Sequence, residues 1–237
     1  MNNKKLNSVN YAPENAKFVL DKGKGWVALL RHSGEEIDIV NAARVSFGKL
    51  KTEFDDKDKM LLKFLIDEEH FAPLEHETMT FLVHCPLYVR GQWHRHRTAS
   101  YNEISRRYTE VDMELYTASQ YRGQSTDNKQ ASIDDEFLKC SDECEKLMQE
   151  ANDKALETYE KLLSMGVCRE QARGVLPQNM MTTFYCTMNL RNVLHFLSLR
   201  MDKHAQWEIR VYANAIHDIL KEIYPTVIDA FDKGLIK

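Results

Sequence analysis

Between Arg95 and Tyr108 the chain carries Arg-His-Arg, then Ser100, Asn102, Glu103, Ser105 and a second pair of guanidiniums, Arg106 and Arg107. Arginine presents a planar fork of N–H donors that matches phosphate oxygens, and serine hydroxyls, amides and backbone N–H groups complete an anion's shell. Residues 86–108 hold five arginines against one acid, Glu103. A lone carboxylate in such a patch either pairs with an arginine or accepts from a ribose hydroxyl or a base N–H. This is chemistry suited to a nucleotide or another phosphorylated ligand. A loop of structural ion pairs is the competing reading.

The segment from Arg97 to Arg107 is polar and reads as irregular backbone, so its flanks must position it. Lys17–Leu20 and Trp26–Leu30 predict two short strands around a turn composition, Asp21-Lys22-Gly23-Lys24-Gly25. Thr78–His84 is β-branched and aromatic and predicts a strand closed by Pro86, with helix following from Leu87 to about His96 and extended chain from Tyr108 to Tyr116. Helical spacing marks Ile37, Val40, Ala43 and Val45, then Met60, Leu61, Phe64 and Leu65. From Asp134 onward the pattern reads as helix up to Gly166, with a second from Arg169 towards Pro177 and a third from Leu190 to Met201. Asp202 predicts the cap of a fourth, ending before Pro225. The expected class is α+β: a helix-rich single domain with a small antiparallel sheet. Residues 1–16 are expected to be frayed, and residues 17–237 to form one catalytic domain with a mostly helical C-terminal half.

Composition removes several alternatives. With 43% hydrophobic residues, 9 glycines and 5 prolines, a disordered or low-complexity chain is excluded. No apolar run approaches the ~18–20 residues that cross a bilayer, and the start lacks a signal-peptide core, so no membrane partner is expected. Five cysteines, an odd number without a secretory signal, point to reduced thiols in the cytoplasm. A net charge of −4 argues against a nucleic-acid-coating protein. Gly23, Gly25 and Ala28 fit a loose dinucleotide-binding pattern, but a strand-like run follows them where that motif needs a helix. Cys140 and Cys144 lie one turn apart without a completing pair, and His84, His94 and His96 sit among arginines that would repel a cation. No metal site is expected. The ten acids of residues 134–161, against four lysines, read as a solvated helix face.

The string Arg95-His96-Arg97-x-x-Ser100-x-Asn102-Glu103-x-Ser105-x-Arg107-Tyr108 resembles the signature of the flavin-dependent thymidylate synthases, Arg-His-Arg followed after seven residues by Ser, and matches its wider form at every fixed position. Other segments resemble the same family in order along residues 17–225: Ala43-Arg44-Val45-Ser46, His70 with Pro73, Glu75 and His76, Gln92-Trp93, Ala172-Arg173 with Leu176-Pro177, Asn189-Leu190-Arg191, and Leu199-Arg200 through Ile209. The chain departs from many relatives at Ala72, where a hydroxyl residue is common, and at His195, which some replace by Asn.

The resemblance implies FAD as cofactor, dUMP as substrate stacked on the flavin, 5,10-methylenetetrahydrofolate as carbon donor and NADPH as reductant. It implies a homotetramer whose active sites are shared between chains, with the loop at 95–108 and the Arg173 region coming from different subunits. It assigns Arg95, His96 and Arg97 to FAD, with Arg95 also reaching dUMP, and puts Glu103 near both flavin and dUMP. Ser105, Arg106 and Arg107 are expected around the dUMP phosphate, Arg106 through its backbone, with Gln92 and Arg173 also on the nucleotide. Asn189, Arg191, His195 and His204 are expected to line the flavin site, and Ser46 and His70 to touch the flavin. Arg200 is the expected catalytic residue, stabilising negative charge on the uracil; no cysteine nucleophile is required.

Overall fold

A computed structural model describes residues 11–111, 113–126 and 132–234. Five antiparallel strands form the main sheet in the order β1-β2-β3-β7-β4. These are β1 (Lys17–Leu20), β2 (Lys24–His32), β3 (Thr78–Pro86), β4 (Ser100–Glu103) and β7 (Met181–Asn189). A separate hairpin pairs β5 (Arg122–Gln124) with β6 (Ser132–Phe137). The helices are α1 (Glu36–Arg44), α2 (Asp56–Asp67), α3 (Leu87–Trp93), α4 (Ser141–Ser164), α5 (Arg169–Ala172), α6 (Leu190–Arg200), α7 (Trp207–Ile223) and α8 (Pro225–Asp232).

Local chemistry sets the element ends. Asp55 caps α2 by accepting from the backbone N–H groups of Lys57 and Asp58, while the Asp58 carboxylate accepts from Asp55 N–H at 2.8 Å, a reciprocal capping box. The Asn189 side chain accepts from Asn192 N–H at 2.9 Å and starts α6. The chain entering β2 needs left-handed backbone at Lys22 and Gly23, and again at Gly25 near the start of the strand. At Gly25 a side chain is also sterically excluded, since a Cβ would stand 2.2 Å from the Tyr212 hydroxyl. The two glycines therefore serve a hairpin-like turn into a strand, and no helix follows them.

The larger core cluster runs from Leu20 to Ala230 and joins the sheet to α1, α2, α3, α6, α7 and α8, while Trp26, Ala28 and Leu82 form a smaller one. Trp93, Phe184, Phe196 and Tyr212 are fully enclosed within the larger one.

Several expectations change. Residues 100–103 are not irregular: Ser100, Tyr101, Asn102 and Glu103 pair with β7, whose own strand the sequence did not announce. β7 is buried on both faces for most of its length, so it lacks the alternation of a half-exposed strand. Residues 132–137 form β6 rather than the start of a helix, because β5 pairs with them; α4 begins at Ser141. The helix after Pro86 stops at Trp93. Asp202 does not cap α7, which begins at Trp207; its carboxylate accepts from His204 N–H at 2.7 Å in the preceding turn. Pro225 opens α8, where its missing N–H costs nothing. Residues 1–10 lie outside the described residues, while the Asn15 side chain donates to the Leu29 carbonyl at 2.7 Å and Ala16 packs on the sheet.

Candidate active site

The Arg-His-Arg segment leaves the core from a fixed point. At the end of α3 the Trp93 ring lies 4.7 Å from Phe196 and 5.5 Å from Phe184, centroid to centroid. The Tyr101 hydroxyl on β4 donates towards the Trp93 and His96 carbonyls at 3.2 and 2.9 Å, and the Tyr101 ring stacks on His94 at 4.2 Å. The turn is thus fastened to the strand that follows it. His96 points inward and is 7% exposed, whereas Arg95 and Arg97 point to solvent.

Arg200, at the end of α6, meets this turn from the other side. Its Nε–H donates to His96 Nε2 at 3.0 Å and its Nη2–H to the Gln92 carbonyl at 3.1 Å. His96 must accept that bond, so its own proton sits on Nδ1. Burial, then the Arg200 charge and His195, lower the His96 pKa to about 4, so the ring is neutral at pH 7.

A cavity of about 560 Å³ opens beside α3 and β4. Its lining includes Arg90, Glu103, Ser105, Arg106, Arg173 and Thr182. Arg90 grips one Glu103 oxygen through Nε and Nη2 at 2.8 and 2.5 Å, and the Thr182 hydroxyl donates to the other at 2.7 Å. The buried Arg106 side chain donates to the Val111 carbonyl at 2.6 Å. Arg107 lies outside the lining and pairs with Glu170 at 3.1 Å. The Arg173 guanidinium has no partner among the described residues and remains available to an anion. Arg173 shares this cavity with Ser105 and Arg106 of its own chain, so the expected split of these groups between subunits is not needed to bring them together.

A second cavity of about 500 Å³, sharing no lining residue with the first, holds Asn189, Arg191 and His195 with Thr98, Asn192 and Phe71. Arg191 lies over the Phe71 ring at 5.4 Å and is ion-paired with Glu75. Amides, an imidazole, a hydroxyl and a guanidinium over an aromatic wall form a donor set that fits a flavin's carbonyls and a pyrophosphate. Ser46 and His70 face a third cavity of about 570 Å³, beside Phe47 and Phe64. His204 is exposed in the turn before α7, held by Asp202 at 2.9 Å, and lines none of the three. Arg95, Arg97 and Gln92 line none of them either; the Gln92 side chain is bonded to Gln206.

Residues 28–226 match the family model described as thymidylate synthase complementing protein. The chain belongs to this family. It is similar to the flavin-dependent thymidylate synthase of Thermosipho africanus, 44% identical over 222 residues that cover 92% of this chain and 95% of that one. The flavin-dependent thymidylate synthase of Thermus thermophilus is 43% identical over 219 residues, 92% of this chain and 79% of that protein. Among solved structures, the UMP/dUMP methylase PolB from Streptomyces cacaoi bound to 5-Br dUMP superposes with a TM-score of 0.80 at 30% identity, covering 89% of this chain and 95% of that chain.

Two residues outside the family's signature, Arg90 and Thr182, hold Glu103 and are not singled out by the sequence. Arg90 was visible as one of the five arginines of the patch, but nothing in its spacing singled it out. Thr182 carries no signal, because β7 is covered on both faces and shows no alternation.

Proposed function

We propose that the chain is a flavin-dependent thymidylate synthase that methylates dUMP to dTMP, using FAD, 5,10-methylenetetrahydrofolate as carbon donor and NADPH as reductant. The observation that carries this reading, in a chain of this family, is the cavity that joins Ser105 and Arg106 to Arg173, which has no partner among the described residues, beside Glu103. Arg173 and the Ser105–Arg106 segment hold the nucleotide phosphate, with Arg107 at the rim. Arginine has five N–H donors; Arg200, which borders the cavities without lining them, spends two on His96 and Gln92 and keeps the rest for the pyrimidine of a bound nucleotide. A guanidinium fixed there stabilises negative charge on the uracil as C5 is prepared for methylation. The neutral His96 holds Arg200 without competing for that charge.

Asn189, Arg191 and His195 bind FAD, with Arg95, His96 and Arg97 contributing, and Ser46, His70 and His204 at its periphery. When bound, FAD supplies the hydride that completes the methyl group. Arg95 and Arg97 are exposed with no side-chain partners among the described residues, and Val45, Phe47, Leu50, Met60 and Phe64 are exposed. These features support a homotetramer in which a neighbouring copy completes each flavin site. Five free thiols suit the reducing cytoplasm. Purified protein should be yellow and should form dTMP from dUMP only with both methylenetetrahydrofolate and NADPH. A colourless protein that binds polynucleotides with steep salt dependence would instead establish the non-catalytic nucleotide- or RNA-binding reading.

A further inference from the structure

We propose that Arg90 is a positioning residue for nucleotide binding: with Thr182 it holds Glu103 so that a single lone-pair direction of the carboxylate is presented to the pyrimidine nucleotide. This rests on the reading of the cavity as the dUMP site. The three cationic side chains of that wall are spent differently. Arg173 has no partner among the described residues, and Arg106 is turned onto the Val111 carbonyl. Arg90 is committed to Glu103, placing two N–H donors on Oε2 at 2.8 and 2.5 Å. Thr182 donates to Oε1 at 2.7 Å. A carboxylate offers about four lone-pair directions, two on each oxygen. Oε2 is therefore filled, and Oε1 keeps one direction for a ligand hydroxyl or imide N–H.

Charge leads to the same assignment. A nucleoside monophosphate brings about two negative charges into the cavity that Glu103 lines. An unpaired carboxylate on that wall would repel it and would be free to rotate. Arg90 cancels the charge of Glu103 and removes its rotation together, which a lysine's point charge cannot do with the same geometry. Three separate elements are needed, since Arg90 comes from α3, Glu103 from the end of β4 and Thr182 from β7.

A double-mutant cycle on flavin-loaded protein tests this, with dUMP affinity read by calorimetry beside KM and kcat. Arg90→Ala should weaken dUMP binding roughly 10- to 100-fold, as expected for losing one charge-assisted pair, and raise KM more than it lowers kcat, with flavin retained. On a Glu103→Gln background the same change should cost less than about threefold, since the carboxylate charge that Arg90 pairs with is gone. Arg90→Lys should recover only part of the affinity, and Thr182→Val should weaken binding in the same direction. If Arg90→Ala does not fold, Arg90→Gln and Thr182→Val run the same cycle. Additive losses would show Arg90 touching the nucleotide itself and overturn the proposal. Unchanged dUMP affinity with a lower melting temperature would reduce the pair to a structural one. Wild-type protein that binds no dUMP would overturn the nucleotide reading together with this assignment, whereas wild-type binding that Arg90→Ala leaves intact would overturn the assignment alone.

Discussion

Removing the Arg200 side chain should produce three separable effects. On the rate, loss of a fixed donor at the developing charge costs about 2.7–4 kcal/mol, or roughly 100- to 1000-fold. On stability, Arg200→Ala leaves His96 Nε2 and the Gln92 carbonyl without the donors that now reach them at 3.0 and 3.1 Å. A buried acceptor stripped of its donor costs about 1–3 kcal/mol, and each kcal/mol lowers Tm by roughly 2–4 °C in a domain of this size. On titration, the His96 pKa of about 4 should rise towards the ordinary 6.5 once the neighbouring guanidinium is gone, though burial will hold it below that value. Because the folded pKa is depressed, the unfolded chain binds more protons between pH 6.5 and 4. Stability is therefore full above 6.5 and is lost as pH falls, by about 3 kcal/mol from this group, and the variant should lose less. The assays are dTMP formation at saturating dUMP, flavin absorbance, thermal melting, and NMR titration of His96. Lysine at this position should rescue poorly, because a point charge on a flexible stem cannot reproduce the fork. A variant within a few-fold of wild-type turnover would refute the reasoning and leave Arg200 as a C-terminal cation on α6, worth about 0.3–1 kcal/mol of helix-dipole stabilisation.

Gly25→Ala should destabilise by roughly 2–4 kcal/mol, since the left-handed backbone (φ +58°) and a Cβ 2.2 Å from the Tyr212 hydroxyl both oppose it; an unchanged urea midpoint would contradict the packing described. Glu77 is buried, and burial first, then the Asp38 charge, raise its pKa to about 7. The folded state thus binds the extra proton between pH 4.5 and 7, and stability from this group falls as pH rises, by about 3 kcal/mol in full. Glu77→Gln should therefore stabilise at pH 8 more than at pH 5, and equal effects at both would sink the assignment. Each cysteine changed singly to Ala should keep turnover in folded, flavin-loaded protein. Cys85 and Cys186 are buried with thiol pKa values pushed up, to about 12 for Cys186, and cannot serve as thiolate nucleophiles near pH 7. Loss of activity in one such variant would require a different mechanism.

The candidate anion pocket was readable where its chemistry is contiguous. Arg95 to Tyr108 is a single run whose residue types announce an anion pocket and whose order matches one family. Helices α2, α6 and α7 were also legible, since an apolar stripe at 3.6-residue spacing is a property of a short window of chain. β4 was not, because Ser-Tyr-Asn-Glu is extended through its pairing with β7, about 80 residues away in sequence. β7 itself hid because a strand covered on both faces shows no alternation. β6 looked helical because its acids join those of α4 in one charged stretch, and only its register with β5 separates them. The same division runs through the candidate site. Residue type singled out Glu103 and the family resemblance Arg200, but partner choice belongs to three-dimensional distance: Arg90 and Thr182 converge on Glu103 from two other elements, and Arg200 reaches His96 across 104 residues. A side chain's identity is written in its own codon's residue, whereas the direction in which it points depends on the packing of α3, β4, β7 and α6 around Trp93, and folding alone decides that.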